Sequence, residues 1–435
     1  MTTDQVRGDA AAPVEPRDSI MRNPDFVKVW AGESISLIGT QITVFALPLV
    51  AILTLHASVF QVGLLNMFRN IPIVACSLFA GVWLDRRRRR PILIACSLGN
   101  AVLIGLVPFS SAMDFLSMTL LYVVTLLVGV LSVVFDVGVL TYMPHLVGRR
   151  HLAASNSRIQ VSTSFAMVAG PSFAGLLVGI LTAPVTLTAD AVSYLCSAAG
   201  LLSIRKREPV PERPEVAQSI GASIAEGMRW VYGSPILRSV LGLSGTFNFV
   251  QAGFITIFVV YGVRYVGLSP FQLGIVLGAI AVGGTVGAAV ANRISKVFGV
   301  GPTMLVSLGG ATLFPMLLLI PRGASYGTVA IMSVIEFMYG FGVLTFNVNT
   351  VTLRQVITPD RLLGRMNASY RLVLFGTAPP GAFLAGVLGQ SFGLHTAMMI
   401  AVFAFPVPIL WTLFSPVIKL KQMPEGPLEE NGKKS

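Results

Sequence analysis

Long apolar stretches dominate this 435-residue chain, and short polar interruptions divide them. Twelve apolar segments can be marked, with approximate limits 27–55, 59–84, 91–111, 115–142, 155–181, 184–204, 236–264, 270–292, 301–321, 325–352, 366–390 and 393–416. A helix needs about 20 apolar residues to cross a bilayer. The pattern therefore predicts an all-α membrane protein with twelve transmembrane helices. Most connections are a few residues long, so consecutive helices must run antiparallel. The exception is 205–235, which starts charged and proline-rich and becomes amphipathic around Ile220 to Trp230. That piece is expected to lie on the membrane surface. The linker separates a six-helix bundle at 27–204 from another at 236–416. Residues 1–26 read as a disordered tail rather than a signal peptide, and 417–435 as a second tail.

Composition agrees. The chain is 54% hydrophobic and 11% charged, with a mean hydropathy of +0.77. Soluble domains carry roughly 25% charged residues, and an ionised group at the bilayer centre costs at least ~2.5 kcal/mol. The net charge of +12 raises nucleic acid as a partner. The distribution of that charge argues against it. Of 31 Lys and Arg, all but Arg69, Arg264 and Arg322 fall on the side of the N-terminal tail, or at helix ends facing it. This predicts both termini in the cytoplasm. The run Arg86 to Arg90 then marks the inner end of span two, where arginines meet anionic lipid.

Cys76, Cys96 and Cys196 lie in apolar runs and suggest neither a disulfide framework nor a metal site. No Gly-x-x-x-x-Gly-Lys-Ser/Thr loop is present, which argues against ATP as the energy source. No cofactor, metal or enzymatic centre is expected.

The halves repeat one another. "SVFQVG" (Ser58 to Gly63) opens span two and "SPFQLG" (Ser269 to Gly274) opens span eight. The opposite ends of these spans carry Asp85-Arg86 and Asn292-Arg293. Duplicated six-helix halves are common in secondary transporters, whose binding site lies near the midplane between them.

Two motifs sharpen this. Gly81, Asp85, Arg86, Arg89 and Arg90 fit Gly-x-x-x-Asp-Arg-x-Gly-Arg-Arg/Lys, with Arg88 in place of the second glycine. In span five, "AMVAGPSFAG" fits Gly-x-x-x-Gly-Pro-x-x-Gly-Gly at Gly170, Pro171 and Gly175. Through these the chain resembles the major facilitator superfamily over nearly its whole length. The loops "MPHLVGRRHLAASNS" and "TPDRLLGRMNASYR" are similar to those of the twelve-span drug:proton antiporter-like branch, which includes macrolide-efflux and enterobactin-exporter type proteins. The resemblance implies two six-helix pseudo-repeats in the major facilitator fold and a plasma-membrane protein acting as a monomer. It also implies a central cavity lined by spans one, four, seven and ten, and an exporter's motif in span five. With the halves packed in that way, Gly81, Asp85, Arg86, Arg89 and Arg90 are expected to form a cytoplasmic gate, in which Asp85 with Arg86 and Arg90 latches the two halves, and Asn292-Arg293 is its weaker copy.

Proton coupling needs a titratable group on the substrate path, and intramembrane ionisable residues are candidates by default. Glu336 lies near the middle of span ten, Glu33 and Asp136 toward the cytoplasmic side of spans one and four, and Asp190 near the outer end of span six. Asp190 reads as a helix cap or a partner for a neighbouring hydroxyl. Arg69, deep in span two, is expected to pair with an acid across the cavity. Polar stripes supply cavity candidates: Ser36, Thr40 and Thr43; Ser132; Ser244, Phe247, Asn248 and Gln251; and Phe337, Tyr339, Asn347 and Thr350. Few charges and several aromatics suit an amphiphilic drug or natural product. The expected function is proton-coupled efflux by alternating access. A siderophore or lysolipid exporter, a metabolite importer of the same fold, and a transport-inactive scaffold are the alternatives.

Overall fold

Polar residues at the ends of the apolar segments fix where helices begin. Asn23 accepts from the amides of Asp25 and Phe26 and starts α1 (Pro24–Leu49). Ser58 and Gln61 exchange side-chain and backbone bonds at 3.2 and 2.8 Å where α2 (Val59–Leu84) starts. Ser269 and Gln272 repeat this capping box at 3.3 and 2.9 Å before α9 (Pro270–Phe298). The duplicated hexapeptide is thus a helix start signal used once in each half.

The computed structural model describes residues 20–84, 87–206, 208, 220–321 and 323–413. The N-terminal half continues with α3 (Arg89–Ala112), α4 (Met118–Val147), α5 (Leu152–Ile180) and α6 (Ala183–Leu202). After the linker helix α7 (Ile220–Gly233), the C-terminal half comprises α8 (Pro235–Tyr261), α9, α10 (Val300–Leu313), α11 (Tyr326–Ile357), α12 (Asp360–Gly376), α13 (Ala378–Phe392), α14 (Leu394–Ala404) and α15 (Val407–Leu413). Span eleven is α12 and α13, broken at Thr377 just before Pro379-Pro380, and span twelve is α14 and α15. Among the described residues, twelve spans are long and apolar enough to cross a membrane. Large apolar side chains such as Val102, Ile180, Val306 and Ile331 are exposed on the bundle's sides. Such surface fits lipid rather than water. This is a multi-pass membrane protein.

The repeat is visible in the backbone too. α1 widens into a π-helical turn at Val50–Thr54, and α8 does so at Gly262–Val266. These turns lie at the end of the molecule opposite the starts of α1 and α8, the far face. The end with the arginine-rich loops is the basic face.

Two predicted boundaries shift. Ile20–Arg22 forms a short 3₁₀ turn and Phe26 is fully buried, so the fold starts inside the segment read as a tail. The amphipathic linker piece is helical, but it is docked on protein. The Glu226 carboxylate meets Arg361 at 3.8 Å and also pairs with Arg365. Ser369 donates to the Ile224 carbonyl at 3.0 Å. Gly227 lies so close to the Arg365 backbone that a Cβ would sit 2.3 Å from its carbonyl oxygen. α7 is therefore fastened to α12. Residues 1–19, 209–219 and 414–435, with Asp85, Arg86, Arg207 and Arg322, lie outside the described residues.

Candidate functional site

Small residues let the halves touch at the far face. A Cβ on Gly63 of α2 would lie 2.8 Å from the Gly386 Cα of α13. A Cβ on Gly175 of α5 would lie 2.4 Å from the Pro270 carbonyl at the start of α9, and one on Gly274 of α9 2.4 Å from the Pro171 carbonyl. Close backbone approach of this kind is how small residues hold membrane helices together. Asn66 donates to Thr256 at 3.2 Å, and Arg264 donates to the Ala57 carbonyl at 2.7 Å. Arg264, an exception to the inner-side placement of basic residues, thus ties one half to the other. Gly170 packs against Gln41 of α1 instead.

Behind this seal lies a chamber of ≈ 480 Å³. Its walls are α1 at Thr40, Gln41 and Thr43, α2 at Asn66, Arg69 and Ile73, and α4 at Ser132 and Asp136, with Tyr194 of α6. Leu47, Leu65, Ile104 and Val128 make apolar surface. A second cleft of ≈ 210 Å³ lies between α2, α4 and α12 and shares Ile73 and Asp136 with the first. Together they lead from the sealed far face toward the basic face. The volume is within the roughly 300–1,000 Å³ of small-molecule sites.

The charges divide along this path. Asp136 is exposed where the two cavities meet. Arg371 of α12 lines the outer cleft with it, and each of Arg371 and Glu33 is near enough to interact with its charge. Arg69 lies deeper. Its side chain is exposed to the chamber, and among the described residues it has neither a hydrogen bond nor an ion pair. The acid partner expected for it is absent, because Glu336 is sealed elsewhere and Asp136 sits nearer the mouth.

Glu336 is completely buried in the C-terminal half, and neither carboxylate oxygen has a hydrogen-bond partner. Tyr339, one turn away, packs in an aromatic cluster with Phe254 and Phe405 at centroid distances of 6.2 and 5.8 Å. Asp190 is also fully buried, but it accepts from Thr43 and, at 2.9 Å, from Ser193. It has the hydroxyl partners expected of it.

Of the predicted cavity residues, Thr40, Thr43 and Ser132 line this chamber. The others do not, because the chamber belongs mainly to the N-terminal half. Ser36, Ser244 and Thr350 are buried. Phe247 packs on Phe405 at 5.9 Å. Asn248 donates to the Leu374 carbonyl at 2.5 Å, beside the break in span eleven. Gln251 faces the Tyr339 phenol. Phe337 lines a crevice between α5, α9 and α11, and Asn347 is exposed. Gln41, Asn66, Tyr194 and Arg371 were not singled out from sequence. Their signal was no weaker, but span-level periodicity does not say which polar face meets a cavity.

The basic motif has an unexpected geometry. Asp85 and Arg86 fall outside the described residues, and Gly81 has open space beside it. Glu208 accepts from the backbone amides of Arg89 and Arg90 at 2.9 and 3.0 Å, at the start of α3. Arg90 in turn donates to the Leu201 and Leu202 carbonyls at 3.0 and 2.9 Å, at the end of α6. A carboxylate at a helix N-terminus and a cation at a C-terminus each complement the helix dipole. Arg89 and Arg90 make these bonds within one half. Asn292 and Arg293 are exposed near the end of α9.

The sequence profile described as Major Facilitator Superfamily matches residues 29–379. The multidrug efflux pump Tap of Mycolicibacterium fortuitum is 25% identical over 385 residues, covering 86% of this chain and 90% of that one. The enterobactin exporter EntS of Salmonella choleraesuis is 24% identical over 373 residues, covering 84% and 86%. Among solved structures, a bacterial homologue of the iron transporter ferroportin in an inward-facing state superposes with a TM-score of 0.70 at 18% identity, covering 91% of this chain and 99% of that one.

Proposed function

Since the chain belongs to the Major Facilitator Superfamily and is a membrane transporter, we propose that it exports amphiphilic small molecules by proton-coupled alternating access. The observation that carries this reading is the chamber, of drug size and mixed polarity, sealed at the far face and leading toward the basic face. Because basic loops stay on the cytoplasmic side, that face and both termini are cytoplasmic and the chamber loads from inside. Each chain holds a whole chamber, so a monomer suffices. The similarity to Tap supports drugs or antibiotics as cargo, and that to EntS supports a siderophore as the second reading.

Glu336 is the proton site in this scheme. An ionised, unpartnered carboxylate in a dry interior costs several kcal/mol, so the neutral acid is the form that fits this packing. Rearrangement of α11 against α8 during the switch then opens it to water and releases the proton. Glu33 and Asp136, near the mouth, exchange protons with the cytoplasm. The reading is tested in proteoliposomes with an imposed pH gradient and an amphiphilic dye. Wild type should accumulate dye in response to the gradient and stop when an uncoupler is added. Glu336→Gln should abolish the gradient dependence while still exchanging dye down its own gradient. Full gradient-driven transport by Glu336→Gln would remove this residue from the coupling path.

A further inference from the structure

We propose that Arg69 is the recognition point for an anionic group on the transported molecule, so that the preferred cargo is an acidic amphiphile bound with its anion deepest. The inference rests on reading the chamber as the transport site, and it adds the class of cargo. A guanidinium carries five N–H donors and no acceptor. In a folded protein such donors are ordinarily matched by carboxylates, carbonyls or hydroxyls. Those of Arg69 meet none among the described residues, although the side chain opens into the chamber.

The counter-charges are too far along the path to serve. The Arg69 backbone is level with Gly129 of α4, whose Cβ position is 3.5 Å from the Arg69 carbonyl. Asp136 lies two turns further along α4, about 10 Å toward the basic face. There it has Arg371 and Glu33 as charged neighbours. The deep end of the chamber is thus cationic, and among the described residues the one acid lining it, Asp136, stands at the mouth.

The surroundings suit an anion with an apolar body. Gln41 lines the same space, its stem held against Gly170, and its amide adds a neutral donor. Leu47, Leu65, Ile104 and Val128 supply the apolar wall. Planar guanidinium donors match a carboxylate in pairs, and such charge-assisted bonds are among the stronger ones in proteins.

The test uses 1-pyrenebutyrate and its methyl ester, which share an apolar body and differ by one charge. Binding of both tritiated probes to the purified full-length protein is measured by scintillation proximity. Wild type should prefer the acid by about tenfold or more, the scale of a hydrogen bond to a charged group. Arg69→Gln should lose that preference, the acid weakening about tenfold more than the ester, and a monodisperse size-exclusion profile shows that the variant is folded. Arg69→Lys should keep part of the preference. Equal weakening of acid and ester in Arg69→Gln, or no preference in wild type, overturns the assignment and leaves export of neutral amphiphiles standing. Failure of wild type to bind either probe overturns the reading of the chamber as well.

Discussion

Replacing Gly175 by alanine probes the far-face seal with a single methyl group. Its Cβ would lie 2.4 Å from the Pro270 carbonyl oxygen and 3.1 Å from the Phe271 Cα. Ordinary contact begins near 3.4 Å, so α5 and α9 must part by about 1 Å. Both obstructing atoms are backbone at a capped helix start, and no side chain can turn aside. Overpacking of this kind costs about 1–3 kcal/mol, and here the cost falls on the conformation in which the far face is closed. A bias of that size changes an equilibrium about 5- to 150-fold, so the population should move toward opening at the far face. The assay is labelling of an Asn66→Cys reporter by an impermeant maleimide added from the far side, with Cys76, Cys96 and Cys196 replaced. Gly175→Ala should label several-fold faster than its parent. Gly179→Ala, one turn on with nothing within 4 Å of its Cβ position, should label at the parental rate. Equal rates in all three proteins would refute the claim that backbone contact between α5 and α9 closes the far face.

Two further expectations concern the basic face. Arg90→Ala removes both bonds to the end of α6 and should lower the melting temperature of the purified protein, consistent with a loss of about 1–2 kcal/mol, without changing far-face labelling. An unchanged melting temperature with altered labelling would instead make Arg90 part of a latch between the halves. Glu226→Gln weakens the pairing with Arg361 and Arg365 and should raise amide hydrogen exchange in α7 while α2 and α4 stay protected; unchanged exchange in α7 would mean that Ser369 and the Gly227 contact hold it unaided.

Helices were legible in the sequence because burial in lipid leaves a long apolar signature and caps leave a polar one. The two SxFQxG hexapeptides even marked the correct starts of α2 and α9. What periodicity could not supply was the neighbour of each polar face. Glu336 and Arg69 look alike in sequence, as lone charges deep in a span. One is sealed among side chains of its own half and the other opens into the chamber. Asn248 lies on a promising stripe, yet it serves a carbonyl beside the break in span eleven. That break depends on Pro379-Pro380, far away in sequence. Arg90 read as a mark of membrane orientation and as part of a latch between the halves, and its bonds to α6 came from a partner more than a hundred residues away. Such pairings are properties of packing, which only the assembled bundle displays.

The linker is moored at both ends. Asp25 accepts from the amides of Arg205 and Lys206 at 3.3 and 3.2 Å, and Glu208 is bound to the start of α3, so its first residues travel with the N-terminal half. α7 travels with the C-terminal half through α12. The twelve peptide steps from 208 to 220 have a contour length of about 40 Å at roughly 3.3–3.6 Å per residue. The two moorings can therefore part by no more than that length before one of them must give. Shortening the chain between them would couple the rocking of the halves to the release of a mooring.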